Sequence, residues 1–283
     1  GKVSATYDSF RGRDEDIKRF NVKYEIGHMY NGSLFVANAN VKSLEDESTY
    51  IFKSQVNKPL MFDYSKDFVI LPESVNAIGS YGNRVFAFSD SSVYRIEPNN
   101  MVLEHIYEGT GALSQRSVVS VDEGLFYADA NGIYQQKGPA PQRISLPIEK
   151  GMTYSYENKR LTNGRIPVLT WDPKRSSLVV ILQKLTNNKA YALTFNVPRK
   201  RWDVITFNNA NQYIFDAIMQ FTGDIYATDG IKLYNLASST TRKAWEWESK
   251  RLEVGRPELD KKFHYVHKTG TADLRYSIND TNY

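Results

Sequence analysis

A short apolar run behind a turn recurs five times along this 283-residue chain. The copies are Gly32-Ser33-Leu34-Phe35-Val36, Asn83-Arg84-Val85-Phe86-Ala87, Gly124-Leu125-Phe126-Tyr127, Ser177-Leu178-Val179-Val180-Ile181 and Gly223-Asp224-Ile225-Tyr226-Ala227. Their reference positions Leu34, Val85, Leu125, Leu178 and Ile225 stand 51, 40, 53 and 47 residues apart. The mean of about 48 falls within the period of propeller blades, in which each unit buries its apolar face against the next. Each run reads as an inner strand, which makes five blade cores. An aromatic content of 13% with frequent Val and Thr favours strands in the same way.

The second half of each unit is a further strand carrying Tyr: Ser91-Ser92-Val93-Tyr94-Arg95-Ile96, Asn131-Gly132-Ile133-Tyr134 and Asp229-Gly230-Ile231-Lys232-Leu233-Tyr234. Asn131-Gly132 and Asp229-Gly230 are expected to supply the positive φ angles of two-residue hairpin turns. Helical periodicity is almost absent, with one short helix expected from Arg13 to Phe20. Beyond Arg242 the character changes. Trp245-Glu246-Trp247-Glu248 alternates, and Lys262-Phe263-His264-Tyr265-Val266 and Leu274-Arg275-Tyr276-Ser277-Ile278 follow as strands of a sandwich type. The expected fold is therefore all-β: a β-propeller of about five to six blades over residues 25–241, then a β-sandwich-like segment over 242–283 belonging to a larger domain. Residues 1–24 form an N-terminal extension able to pair with that segment.

Most chemistries lack their residues. The chain has no cysteine, which excludes disulfides, thiolate metal sites and a cysteine nucleophile. No apolar run approaches the roughly 20 residues of a membrane-spanning helix. The four histidines are His28, His105, His264 and His267. On a strand, His264 and His267 would point to opposite faces, so no metal site is expected. The carboxylate groups Asp14-Glu15-Asp16 and Glu45-Asp46-Glu47 lie in polar stretches and read as solvated loop charge. Neither a nucleophile elbow, nor a phosphate-binding glycine loop, nor the Ser-x-Asp-x-Gly-x-Thr-Trp turn of sialidase propellers occurs. No enzymatic activity and no cofactor are expected.

What remains is basic charge in turns. The net charge of +4 is too small to mark a sequence-specific DNA binder. However, Lys174-Arg175 follows Trp171-Asp172-Pro173, and Arg199-Lys200-Arg201 precedes Trp202. Both clusters should sit between strands of one blade, at an exposed end where long cations reach a phosphate backbone without reading bases. Lys174, Arg175, Arg199, Lys200 and Arg201 are the candidate DNA-facing residues.

From Tyr50 to Ile148 the order of motifs is more specific. Tyr50-Ile51-Phe52-Lys53-Ser54 is followed by Asn57-Lys58-Pro59-Leu60-Met61-Phe62, Ile78, Val85-Phe86-Ala87-Phe88, Gly111 and Ser117-Val118-Val119. Gly124-Leu125-Phe126-Tyr127, Asn131-Gly132-Ile133-Tyr134 and Ile144-Ser145-Leu146-Pro147-Ile148 complete it. This succession resembles the propeller of tail nozzle, tail-hub and packaged-DNA-stabilisation proteins of short-tailed bacteriophages. Trp247-Glu248-Ser249-Lys250 and Lys261-Lys262-Phe263 before Gly270 look like the strand that follows it there. The resemblance implies a structural virion protein of the tail, without catalytic residues. It would assemble as a homo-oligomeric ring beneath the portal or adaptor, contact other tail proteins, extend the channel for packaged double-stranded DNA, and retain or release the genome. At 283 residues the chain is short for such a protein, so it is expected to be part of a longer one.

Two other functions fit a propeller. A glycan-binding or glycan-cleaving one would stack sugars on exposed Tyr and Trp, and a kelch-like adaptor would bind peptide on its loops. The latter is suggested by Tyr191 and Trp202 within one unit.

Overall fold

A run such as Leu125-Phe126-Tyr127-Ala128 has no polar side to offer water, so a strand built from it must be covered on both faces. The chain meets this demand by stacking sheets. The computed structural model describes residues 3–5, 22–39, 47–63, 65–148, 167–183, 190–206, 217–228, 231–236, 277–278 and 281–282. Two units are distinguished, Gly1–Ser238 and Ser239–Tyr283.

The first unit is all-β, with antiparallel sheets that follow one another in sequence order. β1 (Val3–Ala5) pairs with β2 (Val22–Tyr24). The first large sheet comprises β3 (Ile26–Tyr30), β4 (Ser33–Ala37), β5 (Tyr50–Gln55) and β6 (Lys58–Phe62), and β7 (Phe68–Ile70) also pairs with β5. The second is β8 (Ala77–Tyr81), β9 (Arg84–Phe88), β10 (Ser92–Glu97) and β11 (Val102–Glu108). The third is β12 (Val118–Val121), β13 (Gly124–Ala128), β14 (Ile133–Gln136) and β15 (Gln142–Arg143). The fourth is β16 (Val168–Asp172), β17 (Ser177–Gln183), β18 (Ala190–Asn196) and β19 (Arg201–Thr206). The fifth is β20 (Ala217–Phe221), β21 (Asp224–Thr228) and β22 (Leu233–Asn235). In the second unit β23 (Ser277–Ile278) pairs with β24 (Thr281–Asn282). The expected helix from Arg13 to Phe20 and the strands around Trp245 and Phe263 lie outside the described residues.

The first strands of the sheets neighbour one another in order, β3 on β8, β8 on β12, β12 on β16 and β16 on β20. The arrangement is propeller-like, with the sheets fanning outward from these strands. The recurring apolar runs are accordingly not the innermost strands. They are the second strands β4, β9, β13, β17 and β21, each hydrogen-bonded on both edges. Period-two alternation then divides four of the five runs, β4, β9, β13 and β17, between two cores. Val85 and Ala87 face the first sheet, with Phe35, Ile51 and Ile78. Phe86 and Phe88 join Leu125 and Tyr127 of the third. Phe126 and Ala128 meet Leu178 and Val180 of the fourth, while Val179 and Ile181 meet Ile225 and Ala227 of the fifth. Each buried Val, Leu, Ile or Phe among them contributes on the order of 1.5–3 kcal/mol, and each alanine less.

Polar groups clasp the first strands together. The Gln115 side chain accepts a hydrogen bond from Ile78 N at 2.8 Å and donates one to Ile78 O at 2.9 Å. Ser80 N donates to Ser120 Oγ at 2.9 Å, so the backbone edge of β8 is met by side chains of β12 and of the turn just before it. His28 on β3 places Nε2 2.8 Å from Ser80 Oγ, and burial holds its imidazole below the ordinary histidine range. An unfolded chain binds this proton more readily, so stability is greatest above the unfolded value of about 6.5 and declines as pH falls through it. The denaturation midpoint should therefore drop from pH 7 to pH 5, and His28→Gln should flatten part of that drop. An identical pH slope in the variant would remove His28 as its source.

Turn chemistry differs from expectation in one place. Asn31-Gly32 and Thr222-Gly223 carry paired positive φ angles, 46° with 76° and 50° with 83°, as primed hairpin turns require. Asn131 and Gly132 do not. There the Asp129 carboxylate accepts from Asn131 N at 2.6 Å and Gly132 N at 2.8 Å, forming an Asx-type turn. A Cβ at Gly132 would stand 2.6 Å from Arg143 Nε and 2.9 Å from Ser145 Oγ, so those two side chains would have to shift to admit one. Asp229-Gly230 lies outside the described residues.

Candidate nucleic-acid interface

The fourth sheet carries two turns of one design at the same end. Between β16 and β17 the sequence is Asp172-Pro173-Lys174-Arg175-Ser176, and between β18 and β19 it is Asn196-Val197-Pro198-Arg199-Lys200. Each proline pre-sets a turn φ. Each turn is capped by its preceding polar side chain: Asp172 Oδ1 accepts from Lys174 N at 3.0 Å, and Asn196 Oδ1 from Arg199 N at 3.0 Å. Each ends in a left-handed residue, Ser176 at φ 47° and Lys200 at φ 50°.

Asn196 binds the two turns to each other. Its Nδ2 donates to Arg175 O at 2.9 Å and to Ser177 Oγ at 3.2 Å, while its Oδ1 holds the second turn. Both basic clusters are thus fixed on one rigid edge by a single amide. Between them lies an open groove of about 640 Å³, lined by Lys174, Arg175, Thr194, Asn196, Arg199 and Asp203 together with Ser176, Ser177 and Pro198. Of the five predicted DNA-facing residues, Lys174, Arg175 and Arg199 line this groove. Lys200 is exposed at the tip of its turn, and Arg201 begins β19 beside it.

Carboxylates restrain much of this charge. Lys174 Nζ meets Asp224 Oδ1 of the fifth sheet at 2.6 Å, and that hydrogen bond holds its pKa above the ordinary lysine value. Arg175 Nε stands 3.8 Å from Asp172 Oδ2, and Arg201 Nη2 stands 3.0 Å from Asp203 Oδ1. Arg199 and Lys200 have no carboxylate partner among the described residues. The cations of these three pairs are themselves largely exposed, even where the carboxylate is buried as at Asp172, so salt screens and water competes for them and each remains available to a ligand phosphate. The Ser177 and Thr194 hydroxyls already donate to Arg175 O and Asp203 O, so what the groove offers an extended polyanion is its cations, contacted along the ligand backbone.

Other predicted positions fall elsewhere. Trp202 is 8% exposed and packs on Phe195 with ring centroids 4.9 Å apart, so it supports the sheet from within. His105 stacks edge-on against Tyr107 at 4.4 Å. Among the described residues no three His, Asp or Glu gather as a metal site, and no helix is long and apolar enough to cross a membrane. His264 and His267 lie outside the described residues. Asn196 and the carboxylates were not anticipated. The Asx-Pro and Asx-x-Pro openings of the two turns were the available signal for the first, while Asp224 lies 50 residues from Lys174.

No family model matches the chain, and no curated protein matches it. Among solved structures it is similar to hydrazine synthase of Kuenenia stuttgartiensis, at 10% identity and a TM-score of 0.48 over 79% of this chain and 59% of that one. It is also similar to the extracellular domain of a putative one component system from B. thetaiotaomicron, at 13% identity and a TM-score of 0.42 over 83% of this chain and 33% of that one. The N-terminal domain of Nup159 matches at 10% identity with a TM-score of 0.41, over 72% of this chain and 52% of that one. The chain therefore spans about three fifths of the first of these structures and a third of the second.

Proposed function

We propose that the chain is a non-catalytic structural protein of a bacteriophage tail. It would form a ring with copies of itself below the portal or adaptor, contact neighbouring tail proteins, and let packaged double-stranded DNA pass. Stacked sheets tied strand to strand suit a part that must resist pressure without changing shape. The basic turns of the fourth sheet would touch the phosphate backbone and ignore base sequence. The observation that carries this reading is the pair of proline turns that Asn196 locks together, aligning two cationic clusters on one edge.

Duplex binding measured against salt tests it. Two unrelated duplexes should bind with equal, weak affinity, and log K should fall with log salt at a slope of about −2 to −4, about 0.9 per phosphate neutralised. Arg199→Gln with Lys200→Gln should flatten the slope by about 2 and weaken binding at 50 mM salt by roughly a hundredfold. Absence of salt-sensitive binding at low ionic strength would overturn the DNA contact, as would a strong preference for one duplex.

A further inference from the structure

The bridge between Lys174 and Asp224 belongs to two structures at once. Lys174 lines the basic groove, while Asp224 opens β21 in the fifth sheet. The bridge is open to solvent, with the lysine side chain 61% exposed and the aspartate 30%. The lysine stem also lies across the β20–β21 turn, since a Cβ on Gly223 would stand 3.1 Å from Lys174 Cε. Gly223 has a φ of +83°, so this turn accepts the approach without a side chain of its own. A ligand phosphate that takes the Lys174 ammonium competes directly with the Asp224 carboxylate.

We propose that the Lys174–Asp224 bridge is a latch through which polyanion binding in the groove is coupled to the seating of the fifth sheet on the fourth. With the latch closed, Asp224 lowers the affinity of the groove and Lys174 tethers the β20–β21 turn. With duplex bound, the ammonium turns to phosphate and the turn is released. Coupling of this kind is reciprocal, so anything that frees Lys174 from Asp224 strengthens binding as much as binding loosens the bridge. The fourth sheet holds its neighbour less tightly while DNA occupies the groove. This coupling rests on the proposed contact with duplex phosphate.

The test uses the full chain, a random-sequence duplex, and two readouts: the low-salt affinity for duplex and amide exchange at Thr222–Asp224. Asp224→Asn should raise low-salt affinity several-fold, because Lys174 then reaches phosphate without first leaving a carboxylate, and should leave the salt slope close to that of the unaltered chain, since the same phosphates are neutralised. Asp122→Asn changes the net charge equally from a turn of the third sheet and should leave the low-salt affinity close to that of the unaltered chain. In the unaltered chain, exchange at Thr222–Asp224 should quicken when duplex is added. In Lys174→Gln it should be quick from the start and indifferent to duplex. If duplex binds but Asp224→Asn leaves the low-salt affinity unchanged, or Asp122→Asn raises it equally, the latch is overturned and the groove reading stands. Unaltered exchange on duplex addition has the same meaning. If neither the unaltered chain nor Asp224→Asn binds duplex, both fall.

Discussion

Gly111→Ala is expected to destabilise the protein by about 3 kcal/mol, the upper range for a side chain forced into filled space. A Cβ at this position would stand 2.2 Å from Ser89 O and 2.7 Å from the Asp90 carbonyl carbon. Both obstacles are backbone, so neither can rotate aside. Moving them is costly, because Ser89 O accepts from Ala112 N at 2.9 Å and Ser89 N donates to Ser92 O at 2.9 Å. Gly111 N also donates to the Asp129 carboxylate, tying the loop that leaves the second sheet to a turn of the third. Gly109 supplies the comparison. Its φ is +80° but nothing lies within 4 Å of its Cβ position, so Gly109→Ala should cost only about 1 kcal/mol of left-handed strain. Denaturant unfolding of the two variants separates crowding from strain. Equal losses would mean that the Gly111 loop does not lie this close to the Ser89–Asp90 turn.

The same contrast explains what the chain discloses before it folds. Second strands are announced by runs such as Leu178-Val179-Val180-Ile181 because both faces are buried and every residue must be apolar. First strands announce little. β3 reads Ile26-Gly27-His28-Met29-Tyr30 and β8 reads Ala77-Ile78-Gly79-Ser80-Tyr81, polar mixtures whose inner place comes from neighbouring sheets and not from their own pattern. Gln115 has the composition of a surface residue, yet its amide replaces a missing strand beside Ile78. Pairing of this sort joins residues 37 positions apart, and local patterning is blind to it.

The basic turns were visible for a local reason: proline followed by two cations, in a chain whose strands otherwise alternate. Their restraint was not. Asp172 is adjacent and could be expected to cap, but Asp224 reaches Lys174 only because the fifth sheet stacks on the fourth. Likewise, Asn131-Gly132 carries the composition of a primed turn and adopts another, because the buried Asp129 carboxylate offers its two N–H groups a partner. Side-chain capping competes with backbone preference, and burial decides which prevails.

Trp202→Ala is expected to cost about 3–5 kcal/mol, the range for emptying a buried aromatic site. The indole packs against Phe195, its register partner across β18 and β19. Its Nε1 donates to Ile144 O of the third sheet at 2.9 Å, so one side chain fastens the outer strand of one sheet to the end of the preceding one. Trp202→Phe separates these roles. It keeps a ring against Phe195 and removes the donor, which should cost about 1–2 kcal/mol. The two variants also bear on the groove, since Trp202 directly follows Arg201 and β19 carries the second basic turn at its start. Loss of the ring should release that turn and weaken duplex binding at low salt, whereas loss of the hydrogen bond alone should leave binding close to that of the unaltered chain. Denaturant unfolding and salt-dependent binding on the same samples distinguish the cases. If phenylalanine proves as damaging as alanine in both, the bond to Ile144, and not the packing on Phe195, holds the edge that presents the cations.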